Sequence, residues 1–395
     1  MPFYHAPYIF TVSVRGILKD HVVETNSAGT IQSIKPLSDY PDQENIQSFE
    51  GMLVPGFINA HCHLELSHMK SWIPTGTGLV EFIRQIVTRR NTDPALIAPA
   101  IQAADLEMYD EGIVAVGDIS NVPDTFDQKS KSRLRYHTFI EVFDLMQQDK
   151  ADDEMNKSRG VYEQLHIQPS HKKSIVPHAT YSVSDKLWKL ITALNQQDVT
   201  TSIHHQETEA ENEFIAKRTG LLVNFFQGFG LNLDQYIPTN LTASSVPVKY
   251  MSPNQKTLLV HNTMSKPEDI ERIEQWNKQV YWVTCPNANL YIENNMPHYQ
   301  YWLDHGSKLC IGTDSPASNW QLSILEEMKT IQKYQSYVPF ETLIRWATIN
   351  GAEALGFEKE LGSIEEGKTP GLIHIDHFDP VGFKLTLNSK SKRLI

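Results

Sequence analysis

Two histidines one residue apart, His61 and His63, close the apolar stretch Val54-Pro-Gly-Phe-Ile-Asn-Ala-His-Cys-His-Leu-Glu65. On a strand, alternate side chains share a face, so both imidazoles can point the same way while Cys62 turns into the wall. Two imidazoles presented together at a strand end supply half of a metal site. A bare His-x-His is weak by itself. Its weight comes from His178, His204, His261 and Asp314, each of which closes a later apolar segment of the same kind. Glu207 follows three residues after His204, where a carboxylate can reach the same space and carry protons without coordinating. An acid at that place is also what any helix start favours, through the helix dipole. His205 is expected to face the other way.

These residues sit at regular places in a repeated pattern. Apolar strands are expected at 56–61, 113–119, 136–143, 174–178, 200–204, 257–261, 280–284 and 308–314. Helical stretches are expected between them at 78–88, 94–111, 184–196, 209–219, 266–278 and 323–334, with only a polar segment, 147–158, after the third strand. Eight buried strands alternating with helices predict an α/β fold, a (β/α)8 TIM-type barrel. The C-terminal strand ends of a barrel converge on one mouth, so the histidines and Asp314 would share one site. Strand-like pieces at 8–15, 21–25 and 30–35 precede this pattern, and 361–368 and 372–376 follow it after an amphipathic stretch at 340–354. The expected division is therefore a small composite β-domain from 1–51 and 356–395, and a metal-dependent catalytic barrel from 52–355. Residues 221–256 are too long for an ordinary connection and carry Phe225, Phe226 and Phe229. They read either as a folded insertion over the mouth or as a surface excursion packed on itself.

Composition removes several function classes. Over 395 residues the formal net charge is −12, without the basic footprint that nucleic acid demands. No apolar run is long enough to span a bilayer, and Met-Pro-Phe-Tyr-His lacks the pattern of a signal peptide. Cys62, Cys285 and Cys310 have no framework spacing. The expectation is a cytoplasmic protein acting on a small molecule, with no nucleic-acid or membrane partner; a homodimer stays open.

His61-Cys-His63 after Val-Pro-Gly-Phe-Ile-Asn, Ser202-Ile-His-His-Gln-Glu-Thr208, His261-Asn-Thr, Cys285-Pro-Asn-Ala-Asn289 and Gly312-Thr-Asp-Ser315 together resemble the amidohydrolase superfamily. Within it they are most similar to the heterocycle deaminases and chlorohydrolases, over residues 52–355. The resemblance implies that His61, His63, His204 and Asp314 hold a metal, that Glu207 is the general acid/base, and that His261 polarises substrate and water, with Asp314 assisting. It implies substrate contacts from His178, Asn287 and Asn289. His63-Leu-Glu-Leu-Ser67 is similar to the aminodeoxyfutalosine deaminases of menaquinone biosynthesis, which adds Glu65 as a substrate contact. Glu81 reads as a surface helix residue.

Binuclear members bridge their metals with a modified lysine at the fourth strand end, where this chain has Val-Pro-His178, so one divalent ion is expected. Zinc fits the His3Asp set, and iron or manganese would also fit. The implied reaction is hydrolytic deamination of an amino-substituted N-heterocycle, nucleoside-like, with an aminodeoxyfutalosine or adenine-type substrate favoured. The same machinery could instead open a ring amide or a C–Cl bond. A cytidine-deaminase reading fails because no Pro-Cys-x-x-Cys follows. A non-catalytic barrel should lack a ligand or the glutamate, and this chain lacks neither.

Overall fold

The computed structural model describes residues 2–41, 45–194 and 199–395. The chain opens with β1 (Phe3–Phe10), β2 (Ile17–Thr25), β3 (Ile31–Pro36), β4 (Ile46–Ser48) and β5 (Met52–Pro55). Then come β6 (Phe57–Cys62), β7 (Ile113–Ser120), β8 (Arg135–Val142) and β9 (Lys172–Pro177). They are followed by β10 (Thr201–His205), β11 (Thr257–His261), β12 (Val280–Thr284) and β13 (Leu309–Ile311), and finally by β14 (Leu372–Ile375) and β15 (Ser391–Arg393).

Strands β6 to β9 form one four-stranded parallel sheet in sequence order, and β10 to β13 form another. Backbone hydrogen bonds also link the outer strands of the two sheets. The His204 N–H donates to the His178 carbonyl at 3.0 Å, and the Thr313 and Asp314 N–H groups donate to the His61 carbonyl at 3.1 and 3.0 Å. Strands β10, β11 and β12 are buried at every residue, which is why they read as unbroken apolar runs. Helices lie between them. The helix Pro94–Asp110 starts where the Asp93 carboxylate accepts the Ala95 N–H at 2.9 Å, with proline in its first turn. The helix Ile324–Tyr334 starts at Ser323, whose hydroxyl accepts the Glu326 N–H, and it buries Leu325, Met328 and Ile331.

The remaining strands make a seven-stranded sheet in the order β15-β14-β5-β1-β2-β3, with β4 beside β1. Strand β5 runs directly into β6, yet it pairs with β1 and, antiparallel, with β14. Its Leu53 joins Ile9, Val23, Ile34 and Leu372 in a small separate core.

Several elements depart from the sequence expectation for local reasons. The first strand ends at Phe10 rather than near Arg15, because the backbone turns at Val12 with φ 56°. Residues 361–368 are turns, not a strand, with Gly362 and Gly367 both at φ 87°. The Ile31 N–H nevertheless donates to the Lys368 carbonyl and the Gly367 N–H to the Ile31 carbonyl, both at 2.9 Å. The stretch 340–354 breaks at Thr348 into the helices Phe340–Ala347 and Ile349–Leu355. The polar segment after β8 does fold into a helix, Ala151–Gln164, anchored by buried Ala151 and Met155. The last two residues of the helix expected at 184–196 lie outside the described residues. Within 221–256 there are two helices, Leu221–Gly228 and Ser245–Tyr250, and Tyr236 stacks on Phe214 with ring centres 4.9 Å apart. Among the described residues no helix is long and apolar enough to cross a membrane.

Gly312 marks where β13 meets β6. A side chain there would meet the His61 Cβ, N and O atoms, each at 2.9 Å, so only glycine allows the approach. Gly312→Ala should therefore destabilise the fold by about 1–3 kcal/mol, as overpacked sites do. Urea unfolding checks this; a loss below ~0.5 kcal/mol would mean that the contact is soft.

Candidate metal centre and active site

The strand ends bring chemistry together. His61 and His63 come from the end of β6, His204 from β10, His261 from β11, and Asp314 from the turn after β13. The His63 Nε2 lies 3.2 Å from the His61 Nε2 and 3.2 Å from the His204 Nε2. The Asp314 Oδ1 lies 3.7 Å from the His61 Nε2 and 3.6 Å from the His63 Nε2. Four donors about 2.0–2.1 Å from one tetrahedral centre would stand ~3.3 Å from each other, so this set has the spacing of a zinc-type site. The chemistry agrees. Burial pushes the His61 imidazole well below its usual range and lowers that of His63, so both rings favour the neutral form that can ligate, while His204, despite its burial, is raised to about 9 by the Glu141 carboxylate.

Backbone geometry is strained around the same point. His261 and Asp314 have φ of 77° and 58°, in the left-handed region. Such conformations cost about 1–3 kcal/mol each and gather at functional sites.

Glu207 is buried, and its Oε2 lies 3.6 Å from the His261 Nε2. Burial pushes its carboxyl well above the usual range, against the pull of His204. Its own N–H donates to the Glu211 carboxylate at 2.9 Å, and Thr180 donates to the other oxygen of Glu211. Burial brings His261 down to about 4, and its Nδ1 meets the Asn289 Oδ1 at 2.9 Å. His178 is lowered to about 4 by burial, and its Nδ1 meets the Ser182 hydroxyl at 2.8 Å.

These groups open into a cavity of about 320 Å³. His63, Glu141, His178, His204, Glu207, His261 and Asp314 supply its polar part. The helix Leu79–Arg89 adds Phe82, Ile83 and Ile86, and the insertion adds Phe225, Phe226 and Phe229. Another cavity, about 370 Å³, lies between the insertion and the helix Asp185–Leu194 and holds none of these groups. The histidines and carboxylates gather in the first.

Some expected residues sit elsewhere. Asn287 does not line the cavity: its N–H and Nδ2 donate to Glu327 at 2.8 and 3.0 Å, and its Oδ1 accepts from Thr330. It ties the helix Pro286–Glu293 to the helix Ile324–Tyr334. Asn289 also stays behind the wall, holding His261. Glu65 is buried with both oxygens engaged, by the Arg90 Nη2 at 2.9 Å and by the Asn121 and Val122 N–H groups at 2.7 and 3.2 Å. Arg90 and Asn121, not Glu65, face the cavity. His205 turns away onto the Asn262 Oδ1, and Cys62 is buried in the core, as expected. Glu81 pairs with Arg84 on its own helix. Glu141 was not foreseen, although an acid near the end of the apolar run Tyr136-His-Thr-Phe-Ile-Glu-Val142 meets the criterion that selected His178.

The model of the amidohydrolase family matches residues 52–393. The chain belongs to the amidohydrolase family. Among the similar sequences of this amidohydrolase is a 5-methylthioadenosine/S-adenosylhomocysteine deaminase of Saccharophagus degradans, 26% identical over 94% of the chain and 82% of the relative. An aminodeoxyfutalosine deaminase of Nitratiruptor is 27% identical over 86% of the chain and 82% of the relative. The Helicobacter pylori aminofutalosine deaminase, solved in complex with methylthio-coformycin, superposes with a TM-score of 0.83 over the whole of both chains at 23% identity. A zinc-bound adenosine deaminase from Xanthomonas campestris superposes at 0.71, with 22% identity over 95% of this chain and 84% of that one. These likenesses show an α/β fold of the TIM-barrel type.

Four donors around one centre predict one metal per chain. Elemental analysis should give close to one equivalent, and His204→Ala should lose it while circular dichroism stays unchanged. Two equivalents in fully active protein would contradict the mononuclear site.

Proposed function

We propose that this amidohydrolase is a metal-dependent hydrolase that deaminates an amino-substituted N-heterocycle, with an aminodeoxyfutalosine or adenine-type nucleoside favoured. The observation that carries the reading is the convergence of His61, His63, His204 and Asp314 beside the Glu207–His261 pair on the floor of one cavity. The names of the relatives, nucleoside and aminodeoxyfutalosine deaminases, support the reaction class. The two parallel sheets are read as one closed (β/α)8 barrel, since backbone bonds link β9 to β10 and β13 to β6. Residues 1–51 and 356–395 are read as its composite β-domain, with β5 as the strand at the join. The three free, buried cysteines and the acidic charge support a cytoplasmic location with no nucleic-acid or membrane partner.

His61, His63, His204 and Asp314 would hold the divalent ion, zinc by the donor set, with iron or manganese compatible. When bound, such an ion polarises water enough to supply a nucleophile near neutral pH. Glu207 is placed to take a proton from the attacking water and to deliver it to the ring nitrogen next to the amine-bearing carbon. His261, neutral and held by Asn289, orients the water and the developing oxygen. Asp314 accepts a hydrogen bond from the nucleophile. The water oxygen bonds to the ring carbon, and Glu207 then passes a proton to the amine. That second proton comes from the new hydroxyl on the ring carbon; the C–N bond breaks, ammonia leaves, and the ring keeps the oxygen as a carbonyl. His178 contacts the substrate from the cavity wall, and the phenylalanines exclude water and receive the ring.

Glu207→Gln keeps size and hydrogen bonding but cannot shuttle a proton. It should retain the metal and lose kcat by at least ~10^3, in the upper range for acid–base groups. Retained turnover, or an emptied metal site, would contradict the shuttle role.

An ammonia-release screen over adenine nucleosides, aminodeoxyfutalosine, cytosine and triazines tests the substrate. The nucleosides should give the higher kcat/KM. A preference for a bare base or a chlorinated triazine would reject this assignment.

A further inference from the structure

We propose that Glu141 positions His204 as a metal ligand; the inference rests on the metal-site reading above. Glu141 lies near the end of β8, with its side chain 2% exposed. Its Oε1 stands 3.3 Å from the His204 Nδ1, and its Oε2 accepts the Asn121 Nδ2 at 3.1 Å. The His204 Nδ1 also faces the His178 carbonyl at 2.8 Å.

An imidazole nitrogen that carries hydrogen cannot ligate. The His204 Nδ1 points at a carbonyl oxygen and a carboxylate oxygen, neither of which can donate. A hydrogen must therefore sit on Nδ1, so Nε2, 3.2 Å from the His63 nitrogen, is the atom left to ligate. The carbonyl alone would choose this tautomer. Glu141 adds a negative charge behind the ring, which makes Nε2 a stronger donor toward a cation.

Glu141 is itself held. Asn121, which binds it, is fixed through its own N–H by Glu65, and Glu65 in turn is held by Arg90. The carboxylate thus has little freedom to swing into the cavity.

A rival role exists. Atoms of Glu141, His178 and His204 lie close enough to suggest another cation site. Against it, the His204 Nδ1 is engaged by the His178 carbonyl and has no lone pair to offer. Glu141 is therefore a positioning residue and not a ligand.

The test uses the full metal-free chain and titrates zinc against a chromogenic chelator. Glu141→Gln keeps the shape and removes the charge; Glu141→Ala removes both. Zinc should bind about 10–100-fold more weakly to Glu141→Gln, the usual cost of losing such a partner. The melting temperature of the metal-free variant should stay within about 2 °C of the parent, because the fold loses no packing. A dissociation constant within twofold of the parent would overturn the proposal, as would a metal-free melting temperature that falls with the affinity. A parent that binds two equivalents and a variant that binds one would make Glu141 a ligand and also overturn it. A parent that binds no zinc would overturn the metal-site reading itself, and this proposal with it.

Discussion

Three imidazole nitrogens converge on one point, with that of His63 3.2 Å from those of both His61 and His204, and the rest of this molecule is arranged to keep them there. The backbone at the end of β13 donates twice to the His61 carbonyl. Gly312 has no side chain, so β13 can lie against β6. On the other side, the His178 carbonyl receives both the backbone N–H and the ring Nδ1 of His204. The same bonds that join one sheet to the other fix the backbone at His61, His204 and Asp314. Strain at His261 and Asp314 belongs to this arrangement. Packing on every side has to sustain those conformations.

The cavity above that floor is chemically divided. Histidines and carboxylates occupy the strand ends, while the helix Leu79–Arg89 and the insertion bring aromatic and aliphatic side chains. A bound ring that displaced water there would raise the effect of every charge at the floor. A flat heterocycle with its amine turned to the metal and an apolar flank suits such a space. In our reading the insertion, a feature outside the strand–helix rhythm, contributes to substrate choice, while the strand ends contribute the reaction.

Much of this was legible in the sequence because parallel strands buried on both faces leave unbroken apolar runs. All eight such strands lie where those runs predict them, and each metal-type residue stands at an end. Glu207 was placed by its distance from His204, and it does meet His261. What could not be read is direction. Asn287 and Glu65 are near the site in sequence, but helix packing turns one toward Glu327 and Arg90 draws the other inward. Glu141 shows the opposite case, an acid inside an apolar strand that only tertiary contact connects to His204. The break at Thr348 and the turns at Gly362 and Gly367 follow backbone conformations that apolar periodicity does not encode.

The central claim is that one ion, held by His61, His63, His204 and Asp314, makes this chain a deaminase. Its most direct test is reconstitution: zinc is added stepwise to metal-stripped protein while ammonia release from an adenine-type nucleoside is followed. The account predicts activity that rises linearly from near zero and levels off at one equivalent per chain. Activity that is already full before zinc is added, or that keeps rising to a second equivalent, would contradict it.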